Sequence, residues 1–160
     1  MLLLGLTGSI ATGKSTVSNI LRAPPYSLPI IDADVIAREV VEPGTSAYEK
    51  IVAHFGATTP DLLLPKTDDG KGQLLNRPAL GRRVFGDTDE RKKDRAVLNG
   101  IVHPAVRMEM YRQLLRCYLR GCWAVVLDVP LLFESGLDTL CGTVIDRKST
   151  RLNSSHQYYL

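Results

Sequence analysis

Cysteine and net charge are both scarce in this sequence, and each scarcity argues against a class of protein. The 160 residues include three cysteines, Cys117, Cys122 and Cys141, an odd number whose spacings match no zinc-binding pattern. A disulfide-rich secreted domain and a zinc module are therefore not expected, and we predict reduced, buried thiols. The net charge is only +3 and the basic residues are scattered, which argues against a nucleic-acid partner.

Long apolar runs are lacking as well. No segment approaches the roughly 18 consecutive apolar residues that a membrane-spanning helix requires, so we expect no membrane span. The apolar start of the chain has neither the basic segment nor the cleavage site of a secretory signal, and it is interpreted as a strand. The apolar fraction of 44% and charged fraction of 23% are typical of a folded domain, and we expect it to lie in the cytoplasm. The oligomeric state stays open.

Short apolar segments and helical spacings predict the elements of the fold. Strands are predicted at 2–7, 28–32, 123–128 and 142–145, and helices at 14–21, 34–41, 45–55, 78–85, 87–102 and 104–119. The helix over 45–55 is capped by Thr45 or Ser46, and the polar segment 57–76 is interpreted as a surface loop. In the last helix an apolar stripe is formed by Val106, Met110, Leu114 and Tyr118. This order predicts an α/β fold whose parallel sheet is interrupted by a helical insertion between its second and third strands.

A glycine-rich motif follows the first predicted strand. Gly8-Ser9-Ile10-Ala11-Thr12-Gly13-Lys14-Ser15 matches the pattern G-x-x-x-x-G-K-[ST] without a mismatch, and Thr16 follows it. In such a loop the backbone amides and the start of the next helix surround phosphate groups. Lys14 can reach the β- and γ-phosphates, and the Ser15 hydroxyl can bind Mg²⁺. The motif predicts a site for a nucleoside triphosphate over residues 8–16 but does not identify the reaction.

Acidic residues end the second and third predicted strands. Ligands bind at the carboxyl edge of open α/β sheets, so a carboxylate at Asp32 could accept the proton of an attacking hydroxyl. The alternative is that Asp32 simply starts the following helix. Asp34 is interpreted as the cap of the following helix. Asp128, after four apolar residues, could orient Mg²⁺ in the manner of a Walker B acid, or could simply form a turn. Glu134 is a weaker candidate for the same cluster.

Two kinds of basic side chain are candidates for substrate contacts. Arg77, Arg82 and Arg83 could bind phosphates through bidentate hydrogen bonds, although arginines on an amphipathic helix more often face solvent. His103 precedes Pro104 at what is predicted to be the start of a helix, and by chemistry alone a structural role is favoured there.

Several motifs in order resemble the dephospho-coenzyme A kinase family. The similarity covers residues 2 to about 145, and the segments that carry it are Gly5-Leu6-Thr7-Gly8-Ser9-Ile10, Gly13-Lys14-Ser15-Thr16, Ile31-Asp32-Ala33-Asp34, Ala37-Arg38-Glu39-Val40-Val41-Glu42-Pro43-Gly44, His54-Phe55-Gly56, Leu75-Asn76-Arg77, Leu98-Asn99, His103-Pro104 and Pro130-Leu131-Leu132-Phe133-Glu134. The resemblance implies ATP-dependent phosphorylation of the ribose 3′-hydroxyl of dephospho-coenzyme A, the last step of coenzyme A synthesis, with Mg²⁺ as cofactor. It also leaves mitochondrial association as an alternative to the cytoplasm.

The same resemblance implies a fold and a set of roles. The fold would be a P-loop NTPase core, similar to nucleoside-monophosphate kinases, with a helical substrate-binding insertion over about 43–120. Under the resemblance, Lys14 and Ser15 keep their phosphate and Mg²⁺ roles, Asp32 becomes the candidate base and His103 a candidate substrate contact, whereas Asp128 gains less because family members do not all place an acid there. Taken together with the reasoning from the residues, the predicted catalytic residues are Lys14 and Asp32, the substrate-binding residues Asp32, Arg77 and His103, and the metal ligands Ser15 and Asp128.

The sequence departs from the family after Ile145. Residues 146–160 have little apolar content and resemble the translated read-through of a sequencing adapter, so we interpret them as a non-native tail; a genuine polar C-terminus is the alternative. We expect a kinase domain over residues 1–145, without the arginine-bearing lid and last strand that the resemblance implies. Because lid arginines stabilise charge on the transferred phosphoryl group, we expect this polypeptide by itself to be a weak or inactive kinase.

Three other functions remain open on the residues alone. Another small-molecule kinase of the same architecture would use the same phosphate loop. A GTPase switch is disfavoured, because the sequence has no Asn-Lys-x-Asp element for reading guanine. A noncatalytic ATP-binding protein would keep the loop but would not depend on Asp32.

Overall fold

The structure, a computed structural model, describes residues 1–8, 13–65 and 72–147. Its strands are β1 (Leu2–Gly8), β2 (Ile30–Asp32), β3 (Ala124–Asp128) and β4 (Thr143–Arg147). Its helices are α1 (Lys14–Arg22), α2 (Ala33–Glu39), α3 (Ser46–Phe55), α4 (Arg77–Val84) and α5 (Asp89–Leu119), and a short 3₁₀ helix spans Leu137–Leu140. Ser9, Ile10, Ala11 and Thr12 of the phosphate loop and residues 148–160 of the predicted tail lie outside the described residues.

The four strands form one parallel sheet in the order β2-β3-β1-β4, which confirms the predicted parallel α/β fold. Each strand in this order is paired in parallel with its neighbour, so the carboxyl ends of all four lie at one edge. All five residues of β3 are buried, as expected for a strand inside a sheet covered on both faces. The sheet therefore delivers the last residue of each strand to the same edge.

The chain divides into two compact units. The sheet unit comprises Met1–Asp32 and the chain from Cys117 onward, and the helical unit comprises Ala33–Arg116. In the sheet unit, Val17 and Leu21 of α1 pack against a buried cluster that includes Leu6 and Val126. One face of the sheet is thus covered by the helix that follows the phosphate loop.

The helical unit has a core of its own. Its buried cluster consists of Ile51, Phe55, Leu62, Leu75, Leu80 and Val84, contributed by α3, α4 and the segment between them. Thr45 caps α3, as predicted, because its Oγ1 accepts a hydrogen bond from the Tyr48 amide at 3.2 Å. Ser46, the alternative cap, is instead the first residue of that helix.

The predicted surface loop at 57–76 is partly wrong. Leu62 and Leu75 are buried in the helical core, and residues on either side of the undescribed segment 66–71 pair in antiparallel fashion. The Leu64 amide donates to the Leu74 carbonyl at 2.9 Å, and the Asn76 amide donates to the Leu62 carbonyl at 2.7 Å. Three consecutive leucines at 62–64 offered apolar area that a fully exposed loop would have left in water.

The predicted break in the helix at His103-Pro104 is also wrong. Helix α5 continues through Pro104 over 31 residues. Proline removes one amide donor and crowds the carbonyl four residues earlier, which here belongs to Gly100. The helix is continuous despite that local cost, and Leu98, Ile101 and Val102, just before the proline, pack against the helical core. The predicted apolar stripe is mostly not buried: Met110 is buried, whereas Tyr118 is 62% exposed.

Smaller corrections concern the ends of elements. Helix α2 begins at Ala33, so Asp34 lies in its first turn and does not occupy the cap position. There its carboxylate still interacts favourably with the positive end of the helix dipole. Strand β3 begins at Ala124, after an exposed Trp123, and β4 runs two residues past Ile145 through Asp146 and Arg147, into the predicted tail. The three thiols are free but half-buried, not buried.

Candidate active site

The site begins where β1 gives way to α1. Gly13, just before Lys14, has a φ of 81°, and Gly8 at the end of β1 has a φ of 156°; both are conformations that residues with side chains rarely adopt. The Gly13 carbonyl accepts the first bonds of α1, from the Thr16 amide at 3.1 Å and the Val17 amide at 3.2 Å. The exposed side chains of Ser15 and Thr16 lie in the first turn of this helix. A helix start with unpaired amides attracts anions.

Lys14 forms an ion pair with Asp128, 114 residues away in the sequence. Lys14 Nζ donates to Asp128 Oδ1 at 2.5 Å, and Asp128 is only 3% exposed. Strand β3 delivers the carboxylate, because Asp128 is its last residue, and α1 delivers the ammonium as its first. A buried carboxylate requires such a partner, since an unpaired buried charge is strongly destabilising.

Asp32 lies beside this ion pair on the sheet. In the parallel pairing of β2 with β3, Asp32 is the register partner of Asp128, and Leu6 of β1 is its partner on the other side. Register partners on adjacent parallel strands are about 4.8 Å apart and direct their side chains to the same face. That face is the one on which α1 packs, because Leu6 belongs to the cluster that contacts Val17 and Leu21. Two carboxylates and one ammonium therefore meet at one edge of the sheet.

Thr7 is a residue of this region that sequence reasoning missed. Its buried Oγ1 donates to the Pro130 carbonyl at 2.8 Å, and the Val129 amide donates to the Leu6 carbonyl at 3.0 Å. These bonds fix the chain directly after Asp128 to the end of β1. The only signal in the sequence was a threonine at the end of an apolar strand, next to the phosphate loop.

The remaining predicted site residues belong to the helical unit. Arg77 is the first residue of α4, and its Nη2 donates to the Arg38 carbonyl at 3.1 Å. Arg82 and Arg83 form ion pairs with Asp61 at 2.6 Å and Asp94 at 2.7 Å. These two arginines therefore have carboxylate partners within their own unit.

His103 lies within α5, not ahead of a helix. Its side chain is exposed and borders a surface depression of about 250 Å³, whose other lining residues are Pro104, Arg107, Met108 and Tyr111. The depression offers aromatic and cationic side chains side by side. Glu134 is exposed in the turn after β3.

Among the described residues, no group of three or more histidine, cysteine, aspartate or glutamate side chains is arranged to hold a metal ion. Mg²⁺ is commonly held by one or two carboxylates together with substrate phosphates and water, so it does not need such a group. The oxygens of Asp128 and the Ser15 hydroxyl have the hard-ligand chemistry that Mg²⁺ prefers. None of the helices in the described ranges is long and apolar enough to cross a bilayer.

The sequence model of the dephospho-CoA kinase family matches residues 2–150. The chain is 53% identical over 145 residues to dephospho-CoA kinase CAB5 of Saccharomyces cerevisiae, covering 91% of this chain and 56% of that protein. It is 51% identical over 142 residues to a dephospho-CoA kinase of Bacillus anthracis, covering 89% of this chain and 64% of that protein. The chain thus spans between half and two thirds of the length of these relatives.

Two solved structures have a similar fold. The crystal structure of TT1252 from Thermus thermophilus aligns with a TM-score of 0.64 at 29% identity, covering 91% of this chain and 64% of that one. Dephospho-CoA kinase from Campylobacter jejuni aligns with a TM-score of 0.61 at 24% identity, covering 90% and 64% of the two chains. The predicted P-loop NTPase fold is confirmed.

Proposed function

Because this chain belongs to the dephospho-CoA kinase family, we propose that it is part of an enzyme that phosphorylates the ribose 3′-hydroxyl of dephospho-CoA with ATP, the final step of coenzyme A synthesis. Two relatives about 50% identical to it carry the name dephospho-CoA kinase, which supports the proposal. The observation that carries it is the placement of Asp32 beside the Lys14–Asp128 ion pair at the end of the phosphate loop. Such an arrangement puts a proton acceptor next to a phosphate-binding cation.

In this proposal, the loop over residues 8–16 binds the triphosphate of ATP through its backbone amides and the start of α1. The Lys14 ammonium has three N–H donors, of which one is directed at Asp128, so it can also contact the β- and γ-phosphates. Asp32 accepts the proton of the attacking hydroxyl, because the sheet holds its carboxylate at the same edge as Lys14. Thr7 is a positioning residue that acts through the turn after Asp128.

Ser15 and Asp128 would hold Mg²⁺, whose chemistry when bound is to neutralise charge on the phosphate oxygens. The Ser15 hydroxyl is exposed in the first turn of α1, where it is accessible to an ion that also binds phosphate. Asp128 would have two tasks, because its carboxylate also orients Lys14. The burial of Asp128 strengthens both interactions by reducing competition from water.

Arg77 and His103 are the proposed contacts for dephospho-CoA in the helical unit. Arg77 has donors beyond the single bond to the Arg38 carbonyl, and a guanidinium binds phosphates well. His103 is exposed on α5 next to Arg107 and Tyr111, which could bind an anion and an aromatic ring. The substrate-binding part is proposed to be helical, the kinase domain to span residues 1–145, and the protein to act in the cytoplasm without nucleic acid.

A matched pair of variants tests the role of Asp32. Asp32→Asn keeps the size of the side chain but removes the proton acceptor, and Asp34→Asn makes the same change two residues later in the exposed first turn of α2. Both changes are made in a protein that contains residues 1–145 and continues to the length of the relatives. Transfer of labelled γ-phosphate from ATP to dephospho-CoA is measured for both variants, alongside the affinity for magnesium-ATP. We expect Asp32→Asn to lower the rate by about 10²- to 10⁴-fold with affinity unchanged, and Asp34→Asn to have little effect.

The acceptor is tested with a panel of alcohols. Dephospho-CoA should be labelled, whereas nucleoside monophosphates and simple ribosides should not. Label appearing on a nucleotide in place of dephospho-CoA would indicate another small-molecule kinase. A protein of the relatives' full length that binds magnesium-ATP but labels no acceptor, or an Asp32→Asn variant of it that is as fast as its parent, would contradict the proposed function.

A further inference from the structure

The last turn of α5 ends in a well-formed Schellman motif. Gly121 has a φ of 71°, the left-handed conformation that this motif requires. The Gly121 amide donates to the Tyr118 carbonyl at 3.0 Å, and the Cys122 amide donates to the Cys117 carbonyl at 3.1 Å. These are the two hydrogen bonds that define the motif, and they turn the chain back over the end of the helix.

A Schellman motif brings two particular side chains together. The residue after the left-handed glycine contacts the residue that accepts its amide, usually through apolar groups. In this chain both residues are cysteines, Cys122 and Cys117, and the hydrogen bond from the Cys122 amide to the Cys117 carbonyl joins their backbones. The local geometry of a helix end, independent of the rest of the fold, therefore creates a pair of adjacent thiols.

Both thiols are free and half-buried, so reagents can reach them. Burial, followed by the neighbouring Cys122 thiol, raises the pKa of the Cys117 thiol, and the Arg120 guanidinium opposes this only in part. A raised pKa keeps Cys117 protonated and slows its reaction at neutral pH. Cys141 has a different setting: its thiol donates to the Leu137 carbonyl at 3.5 Å, within the short 3₁₀ helix, and burial raises its pKa too.

We propose that Cys117 and Cys122 form a reversible intrachain disulfide when the chain meets a small oxidised disulfide such as oxidised glutathione. One thiolate attacks a glutathione sulfur, which forms a mixed disulfide and releases one reduced glutathione. The neighbouring thiol, once deprotonated, attacks the protein sulfur of that mixed disulfide and releases the second glutathione. Two protein thiols are oxidised and one glutathione disulfide is reduced, and excess reduced thiol reverses both steps.

The sequence allows direct detection of this bond. Trypsin cleaves after Arg116 and Arg120, so the two cysteines fall into separate peptides that only a disulfide can join. Because the second peptide also contains Cys141, the experiment uses a Cys141→Ser chain. After treatment with oxidised glutathione, unreduced digests are analysed by mass spectrometry. We expect the joined peptides, their loss on reduction, and a rate about tenfold higher at pH 8 than at pH 7, because the thiolate attacks.

A pair of glycine variants tests whether the helix end creates the site. Gly121→Val places a branched side chain at a φ of 71°, and Gly136→Val does the same at a φ of 68° elsewhere, with open space around both positions. The strain at Gly121 opposes the Schellman turn, so cross-linking should slow by up to about tenfold in Gly121→Val alone.

Three outcomes would overturn the proposal. The first is separate glutathione adducts on Cys117 and Cys122 that never convert to a cross-link. The second is two thiols that stay unmodified while Cys141 of the parent chain reacts. The third is a Gly121→Val variant that cross-links as fast as the Gly136→Val control, when its circular dichroism spectrum shows that it is folded like its parent. None of these measurements depends on kinase activity.

Discussion

The sheet unit and the helical unit place their charged side chains in different ways. In the sheet unit, Lys14 meets Asp128 across 114 residues, and Asp32 joins them only because β2 pairs with β3 in one register. In the helical unit, Arg82 and Arg83 pair with carboxylates 21 and 11 positions away, Asp61 and Asp94. Side chains that strand register brings together are held close and have few accessible conformations, as a catalytic site requires. Arg82 and Arg83, whose partners lie within their own unit, should contribute mainly to stability, or could exchange a carboxylate partner for a ligand.

The largest effect should come from removing the central side chain of the helical core. Phe55 is 1% exposed within the cluster of α3 and α4, so Phe55→Ala should lower the free energy of unfolding by about 3–5 kcal/mol. Urea denaturation measures this, and Phe85→Ala, whose ring is 67% exposed, is the matched control. Equal losses for the two variants would mean that the helical unit does not depend on its own core.

The next effect should fall on ligand binding in the sheet unit. Lys14→Ala removes the cation from the phosphate loop, and we expect the affinity for magnesium-ATP to fall about 100-fold, because hydrogen bonds to charged groups contribute about 1.5–3 kcal/mol each. Titration calorimetry measures the affinity once circular dichroism has established folding. Lys92→Ala, at an exposed pair with Asp89, should bind as its parent does. An unaltered affinity in Lys14→Ala would mean that Lys14, at the carboxyl edge of the sheet, does not contribute to binding magnesium-ATP.

A smaller effect is expected at the cap of α3. Thr45 Oγ1 accepts from the Tyr48 amide and shares its single proton between the Val40 and Glu42 carbonyls, so Thr45→Ala should lower the free energy of unfolding by about 1–2 kcal/mol. Ser46→Ala, one residue later and already helical, should cost much less. Thermal melts measure the stability of the two variants. Because Thr45 makes a local contact in the helical unit, Thr45→Ala should lower the stability without changing the affinity for magnesium-ATP.

The smallest effect should come from the exposed ion pair of the helical unit. Arg82 and Asp61 are 67% and 59% exposed, and Arg82→Ala should change the unfolding free energy by less than about 0.5 kcal/mol. The Asp94 partner of Arg83 is much less exposed, so Arg83→Ala should cost more. If Arg82→Ala lowered the free energy of unfolding in urea more than Arg83→Ala did, the burial of an ion pair would not determine its contribution to stability here.

Much of the sheet unit could be predicted from the sequence, because its signals are local and strong. An apolar run, a glycine-rich motif and an amphipathic helix follow one another within the first 22 residues, and β3 is a continuous apolar run ending in Asp128. The rule that parallel strands share a carboxyl edge then indicates that Asp32 and Asp128 lie at one side. The ion pair with Lys14 could not be predicted, because strand order and register decide it.

The helical unit was harder to predict because long-range packing overrides local signals there. A proline usually marks a helix boundary, yet α5 passes through Pro104, and the helix packs on the helical core through Leu98, Ile101 and Val102 just before it. Leu62 and Leu75 enter the core from a segment whose polar, glycine-containing composition favours a loop. In the sheet unit, the 3₁₀ helix over Leu137–Leu140 could not be predicted either, because so short an element has no periodicity to detect.

The centre of β1 shows how strongly one neighbour can restrict another. A Cβ added to Gly5 would lie 2.6 Å from Leu132 Cδ2, 3.0 Å from Cys141 Sγ and 3.3 Å from Val144 Cγ2. Leu132 is fully buried and cannot move aside freely, so the turn after β3 and the approach to β4 both rely on a missing side chain. Larger residues at position 5 should be tolerated only together with smaller side chains at positions 132 and 141, so the packing at these three positions is interdependent.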